Sequence, residues 1–315
     1  MDKLESVTLS VGEGDARAHC TICRFGAHIV SWMAPSVDKA PKERLWMSSL
    51  SCVDGSAPIR GGIPIAWPQF ADNGPMKLHG FAREKLWSVG HREISSESDT
   101  IALSLDSDDS GMEDTRTKWN FPHAFTLQLT IRLSVHSLHM ALAVSNKGTA
   151  PLPFTGCLHT YLLTDDSSRC SIEGLSSMRF TDKVDGYLSK GPVEQVLDIA
   201  TEMASSAHLC EGKYFLDRIY DKPDSCRVEE STLCLVDASA PAHSVRTNVQ
   251  QSGSWPQWVV FNPWIEGKKG DKGPDFDDDG YKHMVCLEPA IATEAVIVAP
   301  GECWVGTQLI SVLSV

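Results

Sequence analysis

The stretch LQLTIRLSVHSLHMALAV, residues 127–144, decides the fold class of this chain. Apolar residues occupy every second position from Leu127 to Val135, and the alternation restarts at Leu138. A period of two is typical of strands that bury one face. The break between the two runs, and the turn residues that follow at 146–148, predict two strands paired as a hairpin.

The same pattern recurs outside this hairpin. Ile101, Leu103 and Leu105 alternate with polar residues before an acidic loop, and residues 295–299 form another β-rich run. No segment carries a long apolar stripe at the 3.6-residue period of a helix. Many strands separated by Gly, Pro, Ser and Asp clusters predict an all-β fold, a large antiparallel β-sandwich, rather than alternating strands and helices.

Chain length and composition bound the architecture and the compartment. With 315 residues, 42% of them hydrophobic, the chain can bury a sizeable core. The lack of internal repeats and low-complexity linkers favours a single domain over residues 1–315. The first twenty residues are polar and charged, and no apolar run approaches the roughly 20 residues of a membrane helix. We therefore predict a cytoplasmic protein with no membrane partner, and we expect a monomer.

The ten cysteines are scattered singly through apolar segments of a long chain. That distribution indicates reduced core residues rather than a disulfide framework. The one C-x-x-C, Cys20 to Cys23, has no second pair at zinc-ribbon spacing and lies in a strand-like stretch. We predict no metal there.

A formal net charge of −13 argues against nucleic acid and anionic membranes as partners, because both attract positive surfaces. The same charge opposes any phosphorylated ligand at long range. A phosphate would need a local cation cluster acting within about 8–10 Å, the screening length at physiological salt.

Two nearby segments have the composition of a sugar-phosphate pocket: IRGGIPIAWPQF, residues 59–70, and LHGFAR, residues 78–83. They hold Arg60, Arg83 and a histidine, together with aromatic rings and a run of Gly and Pro that lets backbone approach a ligand closely. Arginine forks match phosphate oxygens two at a time, and aromatic faces suit the apolar face of a pyranose ring.

These segments resemble the hexose-6-phosphate epimerase branch of the aldose 1-epimerase (mutarotase) family, whose members carry R-G-G-I-P, W-P-Q-F and H-G-F-A-R. Further segments resemble the family in the same order along the chain. They are FTGCLHTY (154–161), FLDRIY (215–220), VFNPW (260–264) and MVCLEP (284–289). The resemblance implies a galactose mutarotase-like supersandwich with its sugar site in a cleft on one face.

The resemblance also implies a chemistry. Exchanging the α and β anomers of an aldose requires a base for the C1 hydroxyl proton and an acid for the ring oxygen, and no cofactor. The matching positions make Glu288 the base and His159 the acid. Read alone, each residue has a plainer alternative: a buried ion pair or strand-end carboxylate for Glu288, and a hydrogen-bonded core residue for His159.

Substrate-binding roles follow from the same match. Arg60 and Arg83 would hold a phosphate, although one of them could instead be a structural ion-pair partner. Asp217 would accept hydrogen bonds from sugar hydroxyls, unless it pairs locally with Arg218. His79 is expected near the sugar ring oxygen. Trp67, Phe70 and Phe81 are expected to form the aromatic wall of the pocket.

Two positions depart from the family pattern. Close relatives often have Gln where this chain has Leu78, and the change to Leu removes a possible hydrogen bond to substrate. They usually have Gly where this chain has Ala71, and the change to Ala alters the turn. The run DFDDDG, residues 275–280, matches the start of a calcium-binding EF-hand loop, but Cys286 stands where the twelfth-position Glu belongs. We read this run as an acidic surface loop and predict no calcium.

The predicted function is therefore anomer exchange on a hexose 6-phosphate, with D-glucose 6-phosphate favoured. Three alternatives stay open: an enzyme for free hexoses, a sugar-binding or regulatory protein without turnover, and a glycoside hydrolase. The last would need a second carboxylate about 5–10 Å from the first, across a glycosidic bond.

Overall fold

The computed structural model describes residues 5–35, 40–191, 196–206, 215–223, 229–239, 244–264 and 275–314. Within these ranges the strands form three sheets, and every strand pair in them is antiparallel. The smallest sheet has four strands, in the spatial order β1 (Ser6–Val11), β2 (Ala18–Cys23), β3 (His28–Ala34) and β4 (Lys42–Glu43).

The second sheet has eight strands and carries most of the sequence segments quoted above that resemble the family. Its spatial order is β14 (Leu188–Lys190), β13 (Arg179–Asp182), β16 (Leu216–Asp221), β19 (Gln257–Asn262), β20 (Met284–Val298), β10 (Leu152–Leu158) and β5 (Ile65–Ala66), with β11 (Tyr161–Leu163) also paired to β20.

The third sheet has nine strands. Its spatial order is β15 (Val196–Asp198), β12 (Cys170–Glu173), β17 (Ser231–Asp237), β18 (Val245–Gln251), β21 (Cys303–Ser314), β9 (Ser137–Asn146), β8 (Phe125–Leu133), β7 (Asp99–Asp106) and β6 (Ser88–Ile94). In the described ranges two short α-helices, α1 (Met112–Lys118) and α2 (Ile199–Ser206), lie between strands. Neither is long and apolar enough to span a bilayer.

The hairpin predicted from residues 127–144 is confirmed. Strands β8 and β9 pair from Phe125 opposite Asn146 to Leu133 opposite Leu138, with burial alternating along both. The prediction placed Val135 in the first strand, whereas the strand ends two residues earlier. The turn closes there because Ser134 and Ser137 exchange backbone hydrogen bonds.

The predicted antiparallel β-sandwich is also confirmed. Side chains from all three sheets form one apolar core, which includes Trp32 of β3, Leu158 of β10 and Ile310 of β21. Between the two large sheets the Thr160 hydroxyl donates a hydrogen bond to the side-chain oxygen of Gln308 at 3.0 Å. The single domain over residues 1–315 stays a prediction.

The eight-stranded sheet is buried on both faces, which explains the continuous burial of β16, β19 and the first half of β20. Its inner face joins the sandwich core. Its outer face carries a second, smaller apolar cluster. Side chains from the loops on both sides of β5 and from the segment before β20 cover this face. That cluster includes Trp46, Phe70, Cys157, Tyr161, Val259, Phe261, Phe276 and Cys286.

The described cysteines are free, and Cys20 and Cys23 are buried on β2.

Candidate active site

Strand register brings His159 opposite Glu288. Cys157 pairs with Ala290 where β10 lies beside β20, and Tyr161 pairs with Cys286 where β11 does. Residue 159, in the short break between β10 and β11, therefore lies opposite residue 288. Because alternate residues of a strand share a face, all of these side chains point to the outer face of the sheet.

The two groups predicted as acid and base are in direct contact. The Nδ1 atom of His159 lies 3.1 Å from Oε1 of Glu288, and the two side chains are 11% and 1% exposed. The thiol of Cys157 donates a hydrogen bond to the other carboxylate oxygen, Oε2, at 3.2 Å. Both oxygens of Glu288 thus have neighbours that can hold or supply a proton.

Burial raises the pKa of the Glu288 carboxyl to about 8, although the Cys157 hydrogen bond acts in the opposite direction. Burial and the neighbouring Glu288 charge raise the pKa of the Cys157 thiol well above its usual range, so the thiol stays protonated. A carboxyl group with a pKa near neutrality can both take and return a proton, which suits a reversible acid–base step.

Aromatic neighbours fix the ring of His159. Tyr161 stacks on it with ring centroids 4.5 Å apart and planes 4° from parallel, and Phe261 meets it edge-on at 6.2 Å. His79 lies on a further side at 5.4 Å. These contacts leave the imidazole little freedom to turn away from Glu288.

His79 is held in its neutral form. Its Nδ1 accepts a hydrogen bond from the Ala71 amide at 3.2 Å, so the proton lies on Nε2. Burial, and then the charge of Arg83, lower its pKa well below the usual value. A neutral imidazole with a free Nε2–H is a hydrogen-bond donor for a sugar oxygen, as the family resemblance implied.

Two glycines explain how the first motif reaches the site. Gly61 and Gly62 have φ values of 103° and 61°, and a Cβ on Gly62 would lie 2.1 Å from the Ile29 carbonyl oxygen. Only glycine allows that approach to β3. His28 of β3 contacts the Gly61 carbonyl oxygen at 2.7 Å through Nε2, which fixes the backbone beside Arg60.

The W-P-Q-F and H-G-F-A-R motifs clasp each other. The amide of Trp67 donates to the His79 carbonyl, and the amide of Phe81 donates back to the Trp67 carbonyl. The side chain of Gln69 bonds the loop between them through the backbone of Ala71 and Met76. The clasp positions His79 without placing every motif residue at the site.

Trp67 and Phe81 were predicted to shape the sugar pocket, and this prediction is wrong. Both are buried in the sandwich core, 0% and 1% exposed, where their rings pack against each other and against Phe121 and Phe125. Backbone groups of these two residues build the clasp, while their side chains anchor it from below. Phe70, also predicted, does line the cavity.

The two departures from the family pattern lie at the cavity wall. Ala71 has φ 48°, in the left-handed region that favours glycine, the residue that the family resemblance implies at this position. Leu78 is 48% exposed at the rim, and its carbonyl oxygen accepts a hydrogen bond from Arg83 at 2.8 Å.

The two arginines differ in position. Arg60 lines the cavity and makes a two-point ion pair with Asp275: Nε to Oδ2 at 3.2 Å and Nη2 to Oδ1 at 3.3 Å. Arg83 does not line the cavity. Its guanidinium bonds the Leu78 carbonyl, close enough to Arg60 that each cation disfavours the other. Phosphate binding by Arg83 stays a prediction.

Asp217 lines the cavity and pairs with Lys183, whose Nζ lies 2.9 Å from Oδ2. The alternative local pair with Arg218 is not observed. Arg218 points to the other face of β16, where it pairs with Asp182 at 3.2 Å and with Glu202. Alternation along the strand separates the two neighbours.

These groups surround a cavity of about 370 Å³ on the outer face of the eight-stranded sheet, within the range of small-molecule sites. Some of its lining residues escaped the sequence analysis. Tyr161 stood inside a quoted motif, which was a usable signal; Lys183 and Tyr187 had none. Phe276 stood in the run assigned to the surface. The residues that line the cavity include Arg60, Phe70, His79, His159, Tyr161, Lys183, Asp217, Phe276 and Glu288.

One group of side chains offers metal-ligand chemistry. Donor atoms of His159, Cys286 and Glu288 lie within 4.8 Å of one another, a nitrogen, sulfur and oxygen set that zinc accepts. Two of the three already contact each other as an imidazole–carboxylate pair, and the acid–base chemistry expected from the sequence needs no metal. We assign no metal role to this group.

Comparison with known proteins gives a consistent result. The sequence profile of the aldose 1-epimerase family matches residues 8–311. A protein of Cenchrus ciliaris provisionally named glucose-6-phosphate 1-epimerase is 28% identical over 98% of this chain and 84% of its own length. One of Escherichia coli K12 with the same provisional name is 30% identical over 85% of this chain and 78% of its own.

Solved structures show the same fold. A Salmonella typhimurium protein described as a provisional mutarotase matches with a TM-score of 0.77 at 23% identity, covering 98% of this chain and 90% of that one. A Synechocystis protein matches with a TM-score of 0.74 at 19% identity, covering 100% and 97%.

Proposed function

The chain belongs to the aldose 1-epimerase family, and we propose that it interconverts the α and β anomers of a hexose 6-phosphate, with D-glucose 6-phosphate as the favoured substrate. The observation that carries this proposal is the 3.1 Å contact between His159 and Glu288 at the wall of a cavity that also holds Arg60. An acid, a base and a cation then face one ligand.

In the proposed reaction Glu288 enters as a carboxylate and takes the proton of the C1 hydroxyl. His159 enters as an imidazolium and gives its proton to the ring oxygen, so the C1–O5 bond breaks and the open-chain aldehyde forms. After rotation about C1–C2 the same two groups act in reverse. Glu288 returns its proton to the carbonyl oxygen while His159 takes the proton of the C5 hydroxyl, and the ring closes on the other face.

Each neighbour has a role in this cycle. The Cys157 thiol bonds one oxygen of Glu288, and the charge of Lys183 lowers the pKa of that carboxyl, so both favour the carboxylate that must begin the reaction. His79, neutral with its proton on Nε2, would donate to the sugar near the ring oxygen. Asp217 would accept from sugar hydroxyls beside its ion pair with Lys183.

Two observations support a phosphorylated substrate. Arg60 presents a guanidinium at the cavity wall, and guanidinium groups bind phosphate oxygens through paired, charge-assisted hydrogen bonds. In addition, the two relatives described above are provisionally named glucose-6-phosphate 1-epimerases.

A second candidate is an aldose 1-epimerase for free hexoses. The observation in its favour is charge compensation: Arg60 already pairs with Asp275, and Lys183 with Asp217. A neutral sugar could occupy the cavity without disturbing either pair. The chemistry at His159 and Glu288 would be the same.

The proposal is tested by following anomer exchange with NMR, at a temperature and pH where the spontaneous reaction is slow. We expect acceleration with glucose 6-phosphate that exceeds the acceleration with glucose. No acceleration with any hexose phosphate would defeat the proposal. Binding without acceleration would favour a sugar-binding protein, and equal acceleration with glucose would favour the second candidate.

A further inference from the structure

The acidic run that the sequence analysis assigned to the protein surface lies against the cavity. Asp277 accepts a hydrogen bond from the Ser49 amide at 2.9 Å. The ring of Phe276 is 3% exposed, packs on Trp46 with centroids 4.8 Å apart, and lines the cavity. Phe276 and Asp277 therefore hold the first part of this run next to the candidate active site.

Asp275 begins this run and faces Arg60. Its two carboxylate oxygens meet Nε and Nη2 of the guanidinium at 3.2 and 3.3 Å. The side chains are 23% and 28% exposed, so the pair lies at the edge of the cavity, within reach of a solute. This side-on, two-point contact is the arrangement in which a guanidinium also takes a phosphate.

An arginine with no partner in a partly buried site is costly, because its charge loses water without gaining an anion. Asp275 removes that cost in the free protein. A phosphate dianion arriving at the same guanidinium would meet a carboxylate of the same sign, and two such anions a few ångströms apart repel strongly at low local dielectric.

We propose that Asp275 is a specificity-determining residue: an internal anion that occupies the face of Arg60 on which a substrate phosphate binds, and that the phosphate must displace. The inference rests on the proposed function. A neutral hexose has no group that competes with the Asp275 carboxylate, whereas a phosphate dianion competes with twice its charge. Asp275 would thereby admit dianionic ligands at Arg60 in preference to weaker anions.

The test compares Asp275→Asn with Asp279→Asn. Both replace a carboxylate by an amide of the same size within one short run, but Asp275 pairs with Arg60, whereas the exposed Asp279 pairs with Lys282. Dissociation constants are measured by calorimetry for inorganic phosphate and glucose 6-phosphate, and KM by NMR exchange for glucose 6-phosphate and glucose. Melting temperatures check that both variants are folded. If Asp275→Asn does not fold, Asp275→Ser replaces it.

Loss of the competing charge should tighten binding of phosphate and glucose 6-phosphate about three- to tenfold in Asp275→Asn, the size expected for a partly exposed ion pair. The KM for glucose should not move, and Asp279→Asn should stay within twofold of the parent for every ligand. A crystal soaked with phosphate should show the anion bound to Arg60, with the Asp275 side chain turned away from it.

Weaker phosphate binding in Asp275→Asn would overturn the inference, because Asp275 would then orient Arg60 rather than compete at it. Equal changes for glucose and glucose 6-phosphate would overturn it as well. The calorimetric arm needs no turnover, so its result is independent of the proposed activity. If the parent protein accelerates no anomer exchange, the proposed function fails even where the binding result stands.

Discussion

The two ends of the cavity are built in different ways. At the proposed proton-transfer end, Glu288 and Cys157 lie on paired strands of the eight-stranded sheet, and His159 lies in the short break between β10 and β11. The Glu288 carboxylate is 1% exposed. The cationic end, Arg60 with Asp275, comes from loops, and both side chains are about a quarter exposed. Strand pairing fixes one end to a single geometry, whereas the other end is an ion pair that a ligand can exchange.

The difference predicts how each end responds to change. A substitution at the proton-transfer end should affect every sugar equally, because all substrates share the anomeric carbon. A substitution at the cationic end should separate phosphorylated from free sugars.

Glu288→Gln should have the largest effect. The amide fills the same space but takes no proton, so kcat should fall about 10²- to 10⁴-fold, the range of general acid–base contributions. The loss should be equal for glucose 6-phosphate and for any free hexose turned over. Exchange rates from NMR check this, with Glu294→Gln, an exposed carboxylate on the same strand, as control. A loss confined to one substrate would place Glu288 outside the chemistry.

Arg60→Met should discriminate between substrates. Removing the guanidinium while keeping much of the side-chain length should raise KM for glucose 6-phosphate about 10- to 100-fold, since hydrogen bonds to charged groups contribute roughly 1.5–3 kcal/mol. The KM for glucose should stay within twofold. Arg83→Met should have a smaller effect, because that guanidinium bonds the Leu78 carbonyl and does not line the cavity. Equal effects of the two variants would restore the predicted two-arginine clamp.

Cys157→Ala should move the pH profile of the proton-transfer end. Glu288 must be ionised to act as the base, so kcat/KM should fall as the pH drops below about 8. The thiol bond favours the carboxylate, and its loss should raise the pKa of Glu288 and shift this acidic limb upward by about half a unit to one unit. Cys157→Ser, which keeps a donor, should shift it less.

Cys20→Ala is the matched control for that experiment, because Cys20 is an equally buried thiol on β2, in another sheet. Its profile should coincide with that of the parent protein. A shift of similar size in this control would show that Cys157 acts only through packing.

Ala71→Gly should have the smallest effect and concerns stability. Its φ of 48° is unfavourable for a residue with a Cβ, so glycine should raise the free energy of unfolding by about 0.5–1 kcal/mol. Ala102→Gly, on the extended strand β7, should instead lower it by about the same amount. Denaturant unfolding measures both; a loss of stability in Ala71→Gly would mean that the methyl packing outweighs the backbone strain.

Prediction from sequence succeeded where the signal was local. The hairpin of β8 and β9 follows from alternation alone, because a period of two within one segment indicates which side chains share a face. It failed for Trp67 and Phe81. An aromatic residue beside a glycine-rich motif reads the same whether its ring faces a ligand or the core, and here the clasp turns both rings inward.

The sequence analysis missed that the acidic run at 275–279 and Lys183 lie beside the cavity, for a related reason. Acidic residues in succession are typical of solvated loops, and nothing in the run indicates that Arg60, far away in the sequence, will meet Asp275. Lys183 stands in no motif, and its position at the cavity depends on its ion pair with Asp217.

The two-residue period within residues 127–144 was enough to indicate that they form strands and which of their side chains share a face. The contact of His159 with Glu288, and the bond from Cys157 to the same carboxylate across 131 residues of chain, exist only in the folded protein. Strand register is a property of two distant segments that bury a common face together, so neither segment carries it alone.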